Sequence, residues 1–389
     1  MTSAVERFIE GRLAELHRTG LLREPDDGAR RAAAELAAAR LGVPFVDASS
    51  NDYLGLAEAG DVSRETGVQG VAVGAGASRL IHGTRDAHTL LERTLAAWLR
   101  LPSALLFTSG YAANVGLLSA LGTAGAVIVS DRLNHASTID GCRLGRAAIE
   151  VVPHLDLGAV RSALERHQTA TARWVVVESC YSMDGDGPDL AALRRLCDDL
   201  AAGLIVDEAH ALGVFGPQGA GRCAEAGISP DVLMGTLGKA IGSHGAFVAG
   251  SVSLRRLLWN DARSFVFSTA TSPQLTAATV LHVQRTQKSD ERRSALRRNV
   301  AAFHSALAER RVPVQPGLGG PIVPVLVGDN ERVVGVVKAL EAEGILAQGI
   351  RPPTVPPGSA RLRLTVTALW PPGAPQRVAQ AVARALSGP

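Results

Sequence analysis

Between residues 104 and 250 the chain keeps returning to one pattern, a short unbroken apolar run that stops at a polar or glycine-rich turn. SALLFTSG, GAVIVSD, ARWVVVES, AGLIVDEAH, DVLMGT and GAFVAGS all have it. A strand with one wet face alternates apolar and polar residues, whereas a strand buried on both faces reads as continuous apolar sequence. Helical stretches separate the runs. Together they predict an α/β fold whose central sheet is mostly parallel and covered on both sides. Ligands of such sheets bind outside the carboxyl ends of the strands. The residues to inspect are therefore those just after each run: Ser109 and Gly110, Asp131 to His135, Glu178 to Ser182, Asp207 to His210, and Thr236 to Lys239.

The flanking regions read differently. Residues 1–40 have apolar positions at helical spacing, and VPFVDASSNDYLGL reads as a short strand and loop. GVQGVAVGAGASRLIHGTRD is rich enough in glycine to predict loop, and HTLLERTLAAWLRL predicts a helix. Residues 275–312 read as one long helix linking two domains. PIVPVLVGD, ERVVGVVKALEAEG, ILAQGI and ARLRLTVTA then read as strand, helix, strand, strand, a smaller α+β unit. The expected division is a helical segment over 1–48, a large domain over 49–280 and a small C-terminal domain over 281–389.

Composition narrows the function. Hydrophobic residues at 46% and charged residues at 20% fit a globular enzyme rather than a disordered chain. A net charge of +3 without basic runs gives nucleic acid no docking surface. The N-terminus lacks the apolar core of a signal peptide, and no apolar run reaches about 18 residues, so neither secretion nor a membrane span is expected. Cys142, Cys180, Cys197 and Cys223 are widely spaced with no C-x-x-C, which fits reduced packing residues in the cytoplasm.

Lys239 is one of only three lysines among 40 basic residues, and it lies in GTLGKAIGSHGAFV. Arginine keeps its proton in a protein, whereas a desolvated lysine can lose it and act as a nucleophile. At neighbouring strand ends stand the carboxylate Asp207, the imidazoles His135 and His210, and a glycine turn that opens a helix at Gly110. Singly these residues say little. Asp207 can cap a helix, a lone histidine can be a satisfied polar group, and Lys239 can be surface. DEAH also occurs in helicases, but Leu233 and Ala240 break the pattern of a phosphate-binding loop around Lys239. His135, His210 and Asp207 could hold a metal, but no established ligand spacing supports that. As a set, they are the parts of a pyridoxal phosphate site: an amine for the Schiff base, a carboxylate for the pyridine nitrogen, and a helix N-terminus for the phosphate. A charge pair about 4 Å apart at an effective dielectric near 20 is worth roughly 4 kcal/mol, or about three pK units. That is enough to keep the ring nitrogen protonated.

SSNDYLGL, LFTSGYAAN, DRLNHAS, ESCYSMDGD, VDEAHALGVFGPQGAG and GTLGKAIGSHGAFV together resemble the α-oxoamine synthases. These are fold type I pyridoxal phosphate transferases, similar to aspartate aminotransferase in fold, that join an amino acid to an acyl thioester with loss of carbon dioxide. IRPPTVPPGSARLRLTVTA is similar to the biotin-pathway branch. The resemblance implies L-alanine and a pimeloyl thioester, on coenzyme A or a carrier protein, as substrates. Other branches would use glycine with an acetyl donor, or a different amino acid and acyl group. It implies that Lys239 bonds the cofactor, Asp207 pairs with its nitrogen, and His135 stacks on its ring. His210 and Ser182 face the phenolic oxygen. Gly110, Tyr111 and Thr236 take the phosphate, and Ser268 or Thr269 reaches the phosphate in a partner subunit, so a homodimer is implied. Asn51 and Arg363 would hold the amino acid carboxylate, and Arg23 and Thr354 the acyl substrate. Independently of the resemblance, Arg361 and Arg363 share one face of a strand pattern, and an arginine fork suits a carboxylate as well as it suits a solvated strand face. GAGASR and His244 depart from the family pattern and bear on the acyl pocket.

Overall fold

The computed structural model describes residues 3–23, 25, 28–58 and 71–388. The chain divides into two compact units. One comprises residues 51–182 and 186–295, the other residues 1–50, 183–185 and 296–389.

The first unit is built on a seven-stranded sheet. Its strands are β1 (Ser103–Phe107), β2 (Val127–Asp131), β3 (Ala148–Val152), β4 (Arg173–Glu178), β5 (Gly203–Asp207), β6 (Val232–Thr236) and β7 (Ala246–Gly250). They lie in the order β1-β7-β6-β5-β4-β2-β3. Only β7 runs antiparallel to its neighbours. Successive residues of each central strand enter different cores. Leu105, Ile128, Val176 and Ile205 pack on one side with the helix Gly110–Leu121. Leu106 and Phe247 on the other side pack with the helix Asp86–Leu99. Val129, Val175, Leu204 and Val206 join Leu164 and Leu193. Burial on both faces is why these strands read as unbroken apolar sequence.

The sequence pattern misses β3, where Ile149 and Val151 are exposed at the sheet edge and Glu150 interrupts the run. The long helix expected over 275–312 is in fact two, Pro273–Gln287 and Asp290–Glu309. Arg293 accounts for the break. Its guanidinium is buried and donates to the Thr286 carbonyl at 2.6 Å and the Gln287 carbonyl at 3.0 Å. Carbonyls that a continued helix would have used are satisfied by a side chain instead. Residues 71–86 of the glycine-rich segment hold a short π-helical turn, Arg79–Gly83. Residues 67–70 of that segment lie outside the described residues.

In the second unit a three-stranded antiparallel sheet joins β8 (Ile322–Gly328), β9 (Gln348–Ile350) and β10 (Ala360–Thr365), with β10 in the centre. Helices Asn330–Ala342 and Ala374–Ser387 bring buried Val333, Leu340, Val378 and Val382 to its core. The N-terminal segment, read as one helical stretch, is two helices, Ala4–Arg18 and Ala29–Leu41. Gly20 (φ 65°) and Gly28 (φ 92°) lie in the connection, in a backbone region that ordinary helical residues avoid. Among the described residues no helix is long and apolar enough to cross a membrane.

In the first unit a histidine bridges two carboxylates. His154 Nδ1 lies 2.9 Å from Asp131 Oδ1, and Nε2 lies 3.1 Å from Asp186 Oδ2. Burial alone would lower its pKa, but the paired carboxylates outweigh it and raise the value to about 9. A cation whose folded pKa exceeds its unfolded one stabilises fully below the unfolded value, near 6.5, and the benefit is lost as pH rises through about 9. His154→Gln should therefore lower stability by about 1–2 kcal/mol at pH 6. Urea titrations from pH 6 to 10 should show that gap closing. A gap independent of pH would refute the charged bridge.

Candidate active site

The site grows from the carboxyl ends of β1, β2, β4, β5 and β6. Asp207 is the last residue of β5, and Glu178 stands beside it as the last residue of β4. Asp207 is buried and each of its oxygens receives an N–H. Ala209 N donates to Oδ1 at 2.9 Å, and Asn114 Nδ2 donates to Oδ2 at 3.0 Å. Past β5, His210 is buried, and its Nε2 lies 2.8 Å from Lys239 Nζ. Its Nδ1 lies 2.6 Å from the Tyr53 hydroxyl, which also donates to Asn51 Oδ1 at 3.2 Å. The structure thus joins Asn51, His210 and Lys239 in one chain of contacts.

Lys239 is half-buried in a loop tied at both ends. Leu237 N donates to Gly245 O at 2.9 Å, Ser243 N to Leu237 O at 2.8 Å, and Gly242 N to Lys239 O at 2.8 Å. Gly242 has φ +70°, and a Cβ there would sit 2.5 Å from Ala57 N, so the loop closes this way only with glycine. Thr236 Oγ1 donates to Gly245 O at 3.3 Å and accepts from Gly238 N at 3.4 Å, which shapes the approach to the lysine.

Ser109 caps the helix Gly110–Leu121 by accepting from Ala112 N at 3.1 Å. The capped end presents first-turn N–H groups, and the helix dipole favours an anion there. A Cβ on Gly110 would meet only Met234 Cε, at 3.9 Å, so the approach is open. Tyr111 is exposed and donates its hydroxyl to Asp140, a hydrogen bond that raises its pKa. Ser182 N donates to Glu178 Oε2 at 3.3 Å. Ser268 and Thr269 line a small cleft with Arg79, Phe107 and Thr108, and Thr269 bridges to Ser78. His244 is exposed at the mouth of another small cleft, lined by Phe107, Leu237 and Thr279.

His135 follows β2 and begins the helix Ala136–Leu144. Its pKa is lowered, chiefly by burial, with the charge of Asp207 opposing and that of Lys239 adding. Glu178 is fully buried, and burial followed by the neighbouring Asp207 raises its pKa to about 8, against the pull of Lys239 and of the His135 and Ser182 backbones. Sequence reasoning gave no role to Tyr53, Asn114, Ser137 or Glu178, although each lies inside a motif quoted above. Among the described residues no three histidines, cysteines or acids gather as a metal site.

In the other unit Arg363 is buried on β10 and its Nη1 donates to Thr365 Oγ1 at 3.2 Å. Arg361 is engaged in an ion pair with Asp184. Arg23 Nη2 donates to Thr354 Oγ1 at 3.4 Å, so two residues 331 positions apart in sequence meet.

A mostly parallel sheet with a lysine, a carboxylate and a capped helix end at its carboxyl edge is the architecture of fold type I pyridoxal phosphate transferases. Residues 43–382 match the family described as Aminotransferase class I and II, and the chain belongs to that family. It is similar to the 8-amino-7-oxononanoate synthase of Marinobacter nauticus, 43% identical over 87% of this chain and 86% of the other. The enzyme of the same name from Geobacter sulfurreducens is 41% identical over 97% of both chains. Among solved structures, serine palmitoyltransferase from S. paucimobilis with a bound pyridoxal phosphate–myriocin aldimine covers 93% of this chain and 98% of that one. It is 26% identical with a TM-score of 0.84.

For an acid whose folded pKa is raised, ionisation costs stability between the unfolded value, near 4.5, and the folded one, near 8. Glu178→Gln should remove that cost. Its unfolding midpoint should gain on the parent's as pH rises from 5 to 8 and run parallel above. A constant offset across this range would mean that Glu178 is already ionised at pH 5.

Proposed function

We propose that the protein is a pyridoxal phosphate-dependent C-acyltransferase that condenses L-alanine with a pimeloyl thioester, releasing carbon dioxide and 8-amino-7-oxononanoate, a step of biotin synthesis. The observation that carries the reading is the 2.8 Å contact between Lys239 Nζ and His210 Nε2 at the sheet edge beside Asp207. The names of relatives 41–44% identical support the particular reaction.

The residues fit the cofactor. Lys239 would be the attachment point, and Asp207 would pair with the pyridine nitrogen. His135 would lie against the ring, and His210 and Ser182 would serve its phenolic oxygen. The N-terminus of Gly110–Leu121, with Tyr111 and Thr236, takes the phosphate. Ser268 and Thr269 serve the phosphate of a second copy, in a homodimer. When bound, the cofactor supplies a sink for the electron pair left at Cα of the amino acid.

The chain's own groups do the rest. Arg363 and Asn51 hold the alanine carboxylate. Lys239 Nζ, held by His210, takes the Cα proton and later returns one. Asp207 keeps the pyridine nitrogen charged. His135 donates to the oxygen of the new ketone as carbon dioxide leaves, and Arg23 and Thr354 bind the acyl substrate, carried on coenzyme A or a carrier protein.

The likeness to serine palmitoyltransferase makes other amino acids and thioesters the natural controls. Mass spectrometry of reactions with L-alanine, glycine or L-serine and pimeloyl-, acetyl- or palmitoyl-coenzyme A should give a condensed, decarboxylated product only from alanine and the pimeloyl donor. Product from another pair alone would move the protein to a different branch. Lys239→Ala should fold and lose turnover by at least 10²–10⁴-fold, on the order of a general base's contribution. Arg363→Ala should raise KM for alanine more than it lowers kcat.

A further inference from the structure

Behind His135 lies a short polar chain that the roles above do not use. His135 Nδ1 is 2.7 Å from Ser137 Oγ, and Ser137 N donates to the same nitrogen at 3.2 Å. Asn114 Nδ2 donates to Ser137 Oγ at 3.0 Å and to Asp207 Oδ2 at 3.0 Å. Asn114 and Ser137 are both buried, at 2% and 1% exposure, in a protein interior where every hydrogen needs a destination.

The direction of each hydrogen follows from counting. The atom of Asn114 that faces the Asp207 oxygen is nitrogen, because an amide oxygen there would oppose an acceptor with an acceptor. Both hydrogens of that nitrogen are then committed, one to Asp207 and one to Ser137. Ser137 Oγ, already accepting, gives its own hydrogen to His135 Nδ1. That nitrogen also accepts the Ser137 backbone N–H, so it carries no hydrogen. The ring's hydrogen is left on Nε2, the nitrogen that Ser137 does not hold. The lowered pKa of His135 agrees with a ring carrying one hydrogen and not two.

The helices are built to permit this. Asn114 lies on Gly110–Leu121 and Ser137 on Ala136–Leu144. A Cβ on Gly141 would sit 2.7 Å from Asn114 O and 3.1 Å from Val115 Cα, so only glycine lets the two helices approach this closely.

We propose that Asn114 and Ser137 are positioning residues that hold His135 with its hydrogen on Nε2, aimed at the reacting oxygen, and tie that orientation to the Asp207 carboxylate. This deepens the function proposed above and rests on it for the identity of the acceptor. A histidine that donates from a fixed nitrogen needs no reorientation when negative charge develops opposite it, the condition under which a hydrogen bond aids a transition state most.

Neutron diffraction of the deuterium-exchanged holoenzyme at pH 7 tests the arrangement without turnover. Deuterium is expected on His135 Nε2 and on Ser137 Oγ pointing at Nδ1. Deuterium on Nδ1 overturns the proposal. A kinetic cycle tests the consequence. Ser137→Ala should lower kcat by about tenfold, the scale of one lost side-chain hydrogen bond, with KM for alanine unchanged. In a His135→Ala background it should cost nothing further. An equal loss in both backgrounds would show that Ser137 does not act through His135 and would also overturn the proposal. If Ser137→Ala does not fold, the neutron map of the parent protein still decides. A parent protein that condenses no amino acid with any thioester would refute the proposed function and leave the map to judge the hydrogen placement alone.

Discussion

Asp207 closes a strand buried on both faces, and a carboxylate in that position is tolerable only where hydrogens reach it from fixed donors. The chain supplies one from the backbone two residues on, and one from Asn114, which lies 93 positions earlier. Asn114 can serve because β1 hands the chain directly to a helix at the same edge. His210 follows on the same turn as Asp207, and β6, the neighbouring strand, brings Lys239. The need to satisfy one buried acid and the need to gather an amine and two imidazoles are met by the parallel strands of one sheet, which deliver their carboxyl ends to the same edge.

A second acid, Glu178, sits on the adjacent strand at the same level. Two carboxylates side by side in a dry setting repel, and here the protein resolves this by giving them different surroundings. Asp207 receives two donors, whereas Glu178 is sealed in and keeps its proton to higher pH. Of the two acids, Asp207 is the one whose donors suit the pairing proposed for it above.

Much of this was legible in the sequence. Continuous apolar runs announced the covered sheet, and the polar residues after them named Lys239, Asp207, His135 and His210. What stayed hidden depends on contacts between distant segments. Nothing local to Tyr53 shows that its hydroxyl lies 2.6 Å from a histidine 157 positions later. Asn114 sits in the middle of a helix, where an amide without its partners reads as a surface residue. The helix break at residue 288 escaped notice because its cause, the side chain of Arg293, lies beyond the break and acts backwards. Strand β3 escaped because an edge strand need not be apolar throughout.

That edge strand carries a further meaning. An unpaired strand border is a template on which another chain can crystallise into fibrous order, and Ile149 and Val151 would suit such growth. Glu150 stands between them, anchored by Arg166 and by His167 at 2.7 Å, so the border carries a fixed charge at its midpoint. A charge placed there opposes the strand-to-strand pairing that Ile149 and Val151 alone would favour at this border of the sheet.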